Sequence, residues 1–405
     1  MSYDAIVIGA RAAGSPTAML LARKGYDVLS VDRSTFPSDT LSTHVVHAPG
    51  VAALQRWGLL DAVVASGCPA ITGYRLDFGP VIISGTSHPV EGITTAYAPR
   101  RTVLDAALVA GARDAGAEVR EDYNVDEVLV EGGRVVGIRR GEHEDRARIV
   151  IGADGRHSLL AKAVHAVDYN TKPRLQYSYY TYFSGLPTHQ FETFVRPDRG
   201  FACAPTNDGL TMVVAGWPYA EAQAYKTDIE DNFFQTLQLA PDFADRVSTA
   251  TREAPFLGGA VPSWFRQPYG DGWALIGDAG YNKDPITAQG ITDAFLDAER
   301  CADAVHQWLG EGRPFEDVMG AWHQQRDTTH MPIYEFTAQL ATLEAPPPEM
   351  QQLLAAVHGN QRAMDAFVSV ISGVVSPADY FSHDNVGNIF AAAAAGPTAL
   401  ADSHR

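Results

Sequence analysis

The sequence predicts an α/β protein: a Rossmann-type dinucleotide-binding domain that carries an inserted antiparallel β-sheet and is followed by a helical C-terminal segment. Three observations predict it. An apolar run at the extreme N-terminus leads into a glycine loop and a helix. Two later apolar runs, near residues 150 and 275, each end in a Gly/Asp turn. Between them, residues 170–255 are rich in aromatics and punctuated by glycines at turn-like intervals.

The first element is Ala5-Ile6-Val7-Ile8, continuously apolar as a strand buried on both faces must be. Gly9-Ala10-Arg11-Ala12-Ala13-Gly14 follows, then a helix-compatible run from Ala18 to Lys24 ended by Gly25. Tyr26 to Val31 reads as a second strand, closed by Asp32, 18 residues after Gly14. A helix N-terminus offers unpaired N–H groups and a positive dipole to a pyrophosphate, and an acid at this distance accepts from ribose hydroxyls. Gly9 permits the tight turn and Gly14 close helix–strand packing. The middle glycine of the fingerprint is replaced by Arg11, which either adds charge toward the phosphates or pushes the ligand outward. Pro16 must fall early in the helix.

Ile149 to Ser158 is again an apolar strand entering the turn Asp154-Gly155. Trp273 to Gly280 repeats the pattern through Gly277-Asp278 and continues to Asp284-Pro285 and Gln289-Gly290. Ile291, Ala294, Phe295, Ala298, Cys301, Ala302, Val305 and Leu309 then follow helical spacing. The amides at that helix start can face a developing negative charge on a ring carbonyl.

With Arg101-Thr102-Val103-Leu104-Asp105, these segments resemble the group A flavin monooxygenases, the superfamily of p-hydroxybenzoate hydroxylase. Geranylgeranyl reductases and flavin halogenases share its FAD domain. The resemblance covers about residues 1 to 310. It implies FAD as cofactor, with Gly9 and Gly14 on the pyrophosphate, Asp32 on the adenosine ribose, and Arg11 and Arg33 in the same cofactor-binding set. It places Arg101 near the phosphates or ring, Val125, in a strand over Asn124 to Val130, against the adenine, and Asp278 at the ribityl–phosphate region. Pro285, Gly290 and Ile291 would flank the isoalloxazine. Asp154 would shape the turn beneath the FAD and the approach of NAD(P)H, the transient reductant. No protein group is assigned a covalent role: the flavin, as a C4a-hydroperoxide, would transfer oxygen from O2 to an aromatic or polyketide-like small molecule. Alternatives are a reductase of carbon–carbon double bonds and a catalytically silent FAD-binding protein. The Trp-x-Trp-x-Ile-Pro run of the halogenases does not occur. The family's Ser-x-x-Arg after the Asp-Gly turn is here Ser158-Leu159-Leu160-Ala161, and Ala-Ala-His after Asp278 is Ala279-Gly280-Tyr281.

The expected division is 1–72, 99–168 and 255–310 for the FAD domain, 73–98 and 169–254 for a substrate-binding β-sheet domain, and 311–405 for the helical segment. Asn207-Asp208-Gly209 reads as a hairpin turn. Tyr177, Tyr179, Tyr182 and Phe201 are the substrate-pocket candidates. In the C-terminal segment, Glu316 to Leu343 and Glu349 to Val375 read as two helical stretches, with breaks at Pro332, Pro346 to Pro348 and Pro377.

Composition narrows the function classes. The chain has 405 residues, and a net charge of −17 argues against nucleic-acid binding. Its 3 cysteines, Cys68, Cys203 and Cys301, lie far apart and suit a reducing compartment. His44 and His47 have helical ligand spacing but no third partner nearby, so no metal is expected; His44 falls near the flavin by position, leaving a covalent link open. No run reaches the roughly 18 apolar residues of a membrane span. The start lacks a basic, then apolar, leader. The expectation is a cytoplasmic monomer or homodimer.

Overall fold

The computed structural model describes residues 2–395; Met1 and the last ten residues lie outside the description. The strand Ser2–Ile8 is buried along its apolar half and sits inside an eight-stranded sheet. It pairs in parallel with Val28–Val31 (Ala5 opposite Val28) and with His143–Gly152 (Ala5 opposite Ile149). Glu118–Arg120 extends the sheet on one side and Trp273–Leu275 on the other, both parallel. The order of this central sheet brings the C-terminal ends of three strands together, those at Gly9, Asp32 and Ala153. Ligands of doubly wound sheets bind in the crevice beyond such ends.

The helix Gly14–Arg23 begins four residues earlier than the apolar run suggested, because Pro16 fits the first turn, where no backbone donor is needed. The second strand begins at Val28 rather than Tyr26, and Tyr26 instead bonds His306 Nδ1 at 2.7 Å. The twenty-residue helix Gly290–Leu309 buries Ile291, Phe295, Cys301 and Val305 against Val51, Leu54 and Trp57. Rings of Trp57 and Phe295 meet edge to face at 5.1 Å.

A second eight-stranded sheet holds Gln176–Ser184, Thr211–Pro218, Arg199–Pro205 and Gln190–Arg196 in antiparallel succession, with Asn207–Gly209 turning between two of them. It departs from the expected all-antiparallel sheet at one seam: Gln190–Arg196 and Gly73–Asp77 run parallel, Phe191 opposite Tyr74. Two helices absent from the sequence reading, Ile229–Leu237 and Pro241–Ser248, cover one face. Asp228 caps the first through the Asp231 amide and Pro241 starts the second. Their Phe233, Leu237, Phe243 and Val247 fill a core with Phe194, Phe201 and Trp217.

The C-terminal helices cover the outer strand Ile82–Gly85. Asp365 accepts from the Thr86 amide at 2.9 Å and Ser369 from the His88 amide at 2.8 Å, so an edge that would otherwise offer unpaired groups is closed. The helix Phe315–Ala341 continues through Pro332, which the sequence reading took as a break. The stretch Glu349 to Val375 is two helices, Pro348–Val357 and Gln361–Ile371. They part at Gly359 (φ 81°), and Asn360 caps the second through the Ala363 amide. Cys68, Cys203 and Cys301 are buried thiols. Among the described residues no helix is long and apolar enough to cross a membrane.

Candidate cofactor and substrate site

The first strand ends at Gly9 with φ +100°, and a Cβ there would stand 2.4 Å from the Ala153 carbonyl oxygen. A Cβ on Gly14 would stand 1.7 Å from the Gly9 carbonyl oxygen. Both glycines are thus demanded by backbone contact, which seats the helix end directly on the strand end. No side chain caps the helix Gly14–Arg23 and no acid lies in its first turn, so its positive end opens onto the cavity beside Gly9, Ala12 and Ala13. Asp32 accepts from the Ala10 amide with Oδ2 and from the Ser34 amide with Oδ1, both at 2.8 Å, and fixes the two loops that flank the crevice.

Arg11 resolves the question left by the missing glycine. Its guanidinium donates to Asp105 Oδ2 at 2.6 Å and to Ser38 Oγ at 2.7 Å, and lies over the Phe36 ring at 5.2 Å. It braces the glycine loop against the neighbouring helix Arg101–Asp114. Asp105, fully buried, also accepts from Arg101 through Nε and Nη2, at 3.0 and 2.9 Å. One carboxylate therefore holds two arginines, both on the cavity wall. Asp105→Asn should cost about 3 kcal/mol, the low end for a broken buried pair, because 22% of the Arg11 side chain is exposed. Urea unfolding of the variant checks this; an unchanged midpoint would mean that water replaces Asp105 without cost.

The cavity measures about 1050 Å³, above the roughly 300–1,000 Å³ of ordinary small-molecule pockets, which suits a dinucleotide plus a substrate. Arg33, Val125, Asp154, Asp278, Pro285, Gly290 and Ile291 also line it, so the structure brings together every residue the sequence reading assigned to the cofactor except Gly14, which stands immediately behind the wall. Val125 precedes its strand, which runs over Glu127–Glu131 instead of Asn124 to Val130.

Two carboxylates there keep at least one oxygen without a hydrogen-bond partner among the described residues. Asp154 accepts from the Leu159 amide with Oδ2, whereas its buried Oδ1 has none. Asp278 lines the cavity and is itself exposed. Burial pushes both carboxyls above their ordinary range, and for Asp278 the nearby Arg101 and Arg156 pull back. Asp278, an unpartnered acceptor on the cavity wall, fits a ligand rich in hydroxyl donors, such as the ribityl chain and ribose of FAD. With the glycine cradle and the uncapped helix, the residues present fit that cofactor.

On the opposite wall the second sheet contributes Ser178, Tyr180, Met212 and Val214. None of the four aromatic pocket candidates lies there. Successive strand residues point to opposite faces, so Tyr177 and Tyr179 face the helices with Trp217, and Phe201 stacks on Phe194 at 4.8 Å. Tyr182 shares the face of Tyr180 but is sealed behind the wall, donating to or accepting from His44 Nε2 at 2.8 Å beneath the Arg100 guanidinium. His44 is wholly buried beside Tyr180 and Tyr182, and His47 bonds Tyr74 and the Thr287 carbonyl.

The sequence reading assigned no role to Lys283, Asp284, Asp293 or Gln176. Lys283 Nζ donates to Asp293 Oδ2 at 2.5 Å and to Gln289 Oε1 at 2.9 Å. This neutralises the acid in the first turn of the helix Gly290–Leu309 and preserves that helix's positive end. The signal was a lysine next to the quoted Asp284-Pro285, legible only once the loop was folded back onto the helix.

A Rossmann-type sheet, a glycine cradle and a hydroxyl-seeking cavity that reaches under a second sheet define a flavoprotein oxidoreductase. The chain belongs to the FAD binding domain family, whose model matches residues 2–329. It is 25% identical over 327 residues to the 1H-pyrrole-2-carbonyl-[peptidyl-carrier protein] brominase of Pseudoalteromonas luteoviolacea (strain 2ta16), covering 76% of this chain and 78% of that one. It is 29% identical over 313 residues to digeranylgeranylglycerophospholipid reductase 2 of Methanopyrus kandleri (72% and 74% covered). To 6-methylpretetramide 4-monooxygenase of Streptomyces rimosus it is 26% identical over 332 residues (78% and 77%). A flavoprotein/dehydrogenase structure from Cytophaga hutchinsonii shares the fold, with TM-score 0.82 at 19% identity over 98% of this chain and 100% of that one.

Proposed function

We propose that the protein is an FAD-dependent monooxygenase that uses NAD(P)H and O2 to hydroxylate an aromatic or polyketide-like small molecule. The observation that carries this reading is the continuity of one cavity from the nucleotide cradle to the wall of Ser178, Tyr180, Met212 and Val214, where apolar and hydroxyl groups alternate. The likeness to 6-methylpretetramide 4-monooxygenase supports it.

FAD, when bound, supplies the redox and oxygen chemistry; this chain supplies position, exclusion of water and charge. The loop Gly9 to Gly14 with its helix end holds the pyrophosphate, Asp32 orients the adenosine ribose and Val125 backs the adenine. Asp278 accepts from the cofactor's hydroxyls, and Asp154 shapes the turn beneath the FAD. Pro285, Gly290 and Ile291 flank the ring, and the Gly290 helix end favours negative charge on it. Arg156, His157, Lys162 and Arg266 line an adjoining cleft of about 530 Å³ that shares Arg156 and His157 with the cavity, a place for the phosphates of a nicotinamide dinucleotide.

Oxygen dependence tests the reading. The yellow protein should oxidise NADPH or NADH faster when a phenolic or polyketide compound is present, consume O2 in step, and yield an oxygenated product. The likeness to a geranylgeranyl-lipid reductase favours a second reading, reduction of carbon–carbon double bonds. Turnover of an isoprenoid lipid in anaerobic buffer would establish that reading and refute the first.

A further inference from the structure

We propose that Asp284 is the acid–base residue of the substrate pocket, accepting the proton of a substrate hydroxyl on its free carboxylate oxygen. Asp284 lies on the cavity wall just ahead of Pro285, 2% exposed, at the point where the cofactor loop meets the substrate sheet. Its Oδ1 accepts from Gln176 Nε2, at the start of the strand Gln176–Ser184, and from the Ile286 amide at 3.0 Å. These two bonds fix the carboxyl plane. Among the described residues Oδ2 has no hydrogen-bond partner, and it is not sealed in protein as the orphaned Oδ1 of Asp154 is. A carboxyl that is anchored by one oxygen and offers the other to a cavity can take up a proton without moving.

The surrounding charges leave this role to Asp284. Lys283 and Asp293 are committed to each other, and His330 faces Asp293 from the helix Phe315–Ala341. Asp278 lies nearer the positive charges of Arg101 and Arg156, which pull back on the upward push of its burial. The Tyr180 and Tyr281 phenols are driven upward by burial and hold their protons near neutrality. Burial pushes Asp284 up to about 7, with the Gln176 and Ile286 bonds pulling back, so it exchanges a proton near neutral pH. The step balances simply: the substrate O–H bond breaks heterolytically, the electron pair stays on the substrate oxygen, and the proton goes to Asp284 Oδ2. It leaves to solvent as product departs.

This inference rests on the monooxygenase reading, and phenol is the probe. Phenol binding to the oxidised holoenzyme is followed by the change in flavin absorbance from about pH 5 to 9, a range in which phenol itself, like a tyrosine, stays protonated. The ionised carboxylate is the stronger acceptor. Phenol should therefore bind several-fold more tightly as pH rises through about 7. Asp284→Asn should bind phenol with no such step. Should that variant lose FAD, Gln176→Leu serves: it deletes a bond that favours the carboxylate, and the step should move to higher pH. A flat profile in the native protein, or a step that survives in Asp284→Asn, overturns the assignment of Asp284 alone. Failure of phenol to bind at any pH overturns the aromatic-substrate reading and this inference with it.

Discussion

Gly14→Ala should yield a colourless protein. The added methyl would lie 1.7 Å from the Gly9 carbonyl oxygen and 3.1 Å from the Ala153 Cβ, and the first of these is backbone that no rotamer change can move. Relief requires the helix Gly14–Arg23 to slide off the strand end. That displaces the amides of Ala12 and Ala13, which form the mouth of the nucleotide cradle. Overpacking of a core position costs about 1–3 kcal/mol and sometimes more, and here the distortion falls on the groups that hold the pyrophosphate. Bound flavin per mole of protein, read from the visible spectrum after gel filtration, should drop at least tenfold. Gly25→Ala is the control. Gly25 ends the same helix at φ +89° with nothing within 4 Å of its Cβ position, so only backbone strain of about 1–2 kcal/mol is expected and the protein should stay yellow. Equal flavin retention in both variants would refute the cradle.

That cradle was legible because its chemistry is local. A buried strand, a turn that only glycine makes and an acid 18 residues on lie within Ala5 to Asp32 and depend on nothing else in the chain. Asp278, Pro285 and Gly290 were legible for the same reason. The substrate wall was not. Tyr177, Tyr179, Tyr180 and Tyr182 share one strand, and only its pairing settles which face meets the cavity; the aromatic signal is the same on either side. The faces were assigned by Phe233, Phe243 and their helices, whose claim on Tyr179 and Phe201 is a contact between distant segments. Lys283–Asp293 and Gln176–Asp284 escaped for a related reason, the second pair spanning 108 positions. Arg11 shows the reverse case. It stood out at once as a departure, but its function as a brace needed Asp105, 94 residues away, to be brought beside it.

Acidification should draw out a destabilising contribution from three buried histidines, whose sign follows from their burial. Burial lowers His44, His47 and His330 from 6.5 to about 4, against weaker opposing influences from the Ser42 carbonyl, the Thr287 carbonyl and Asp293 respectively. Between those values the unfolded chain binds one more proton per histidine than the folded one, so stability rises with pH across this window and is lost as pH falls through it. Each proton is worth about 1.4 kcal/mol per pH unit, so three contribute about 4. Asp284 acts in the opposite sense: raised to about 7 from 3.8, it stays protonated in the fold where the unfolded chain is ionised, and its stabilisation fades as pH rises. Subtracting it leaves at most about 3 kcal/mol per pH unit near pH 5, reduced further by the other carboxyls that burial raises, Asp154, Asp278 and Asp297. The histidine contribution is isolated by comparison with His47→Gln, since every carboxyl is common to both proteins. Urea unfolding at several pH values, with FAD in constant excess, should show the native protein losing about 1.4 kcal/mol more per pH unit than the variant between pH 6.5 and 4. Parallel slopes would show that His47 is protonated inside the fold. Its bond to Tyr74 would then have to reverse, because a doubly protonated ring cannot accept from the Tyr74 hydroxyl, whereas Nε2 would go on donating to the Thr287 carbonyl.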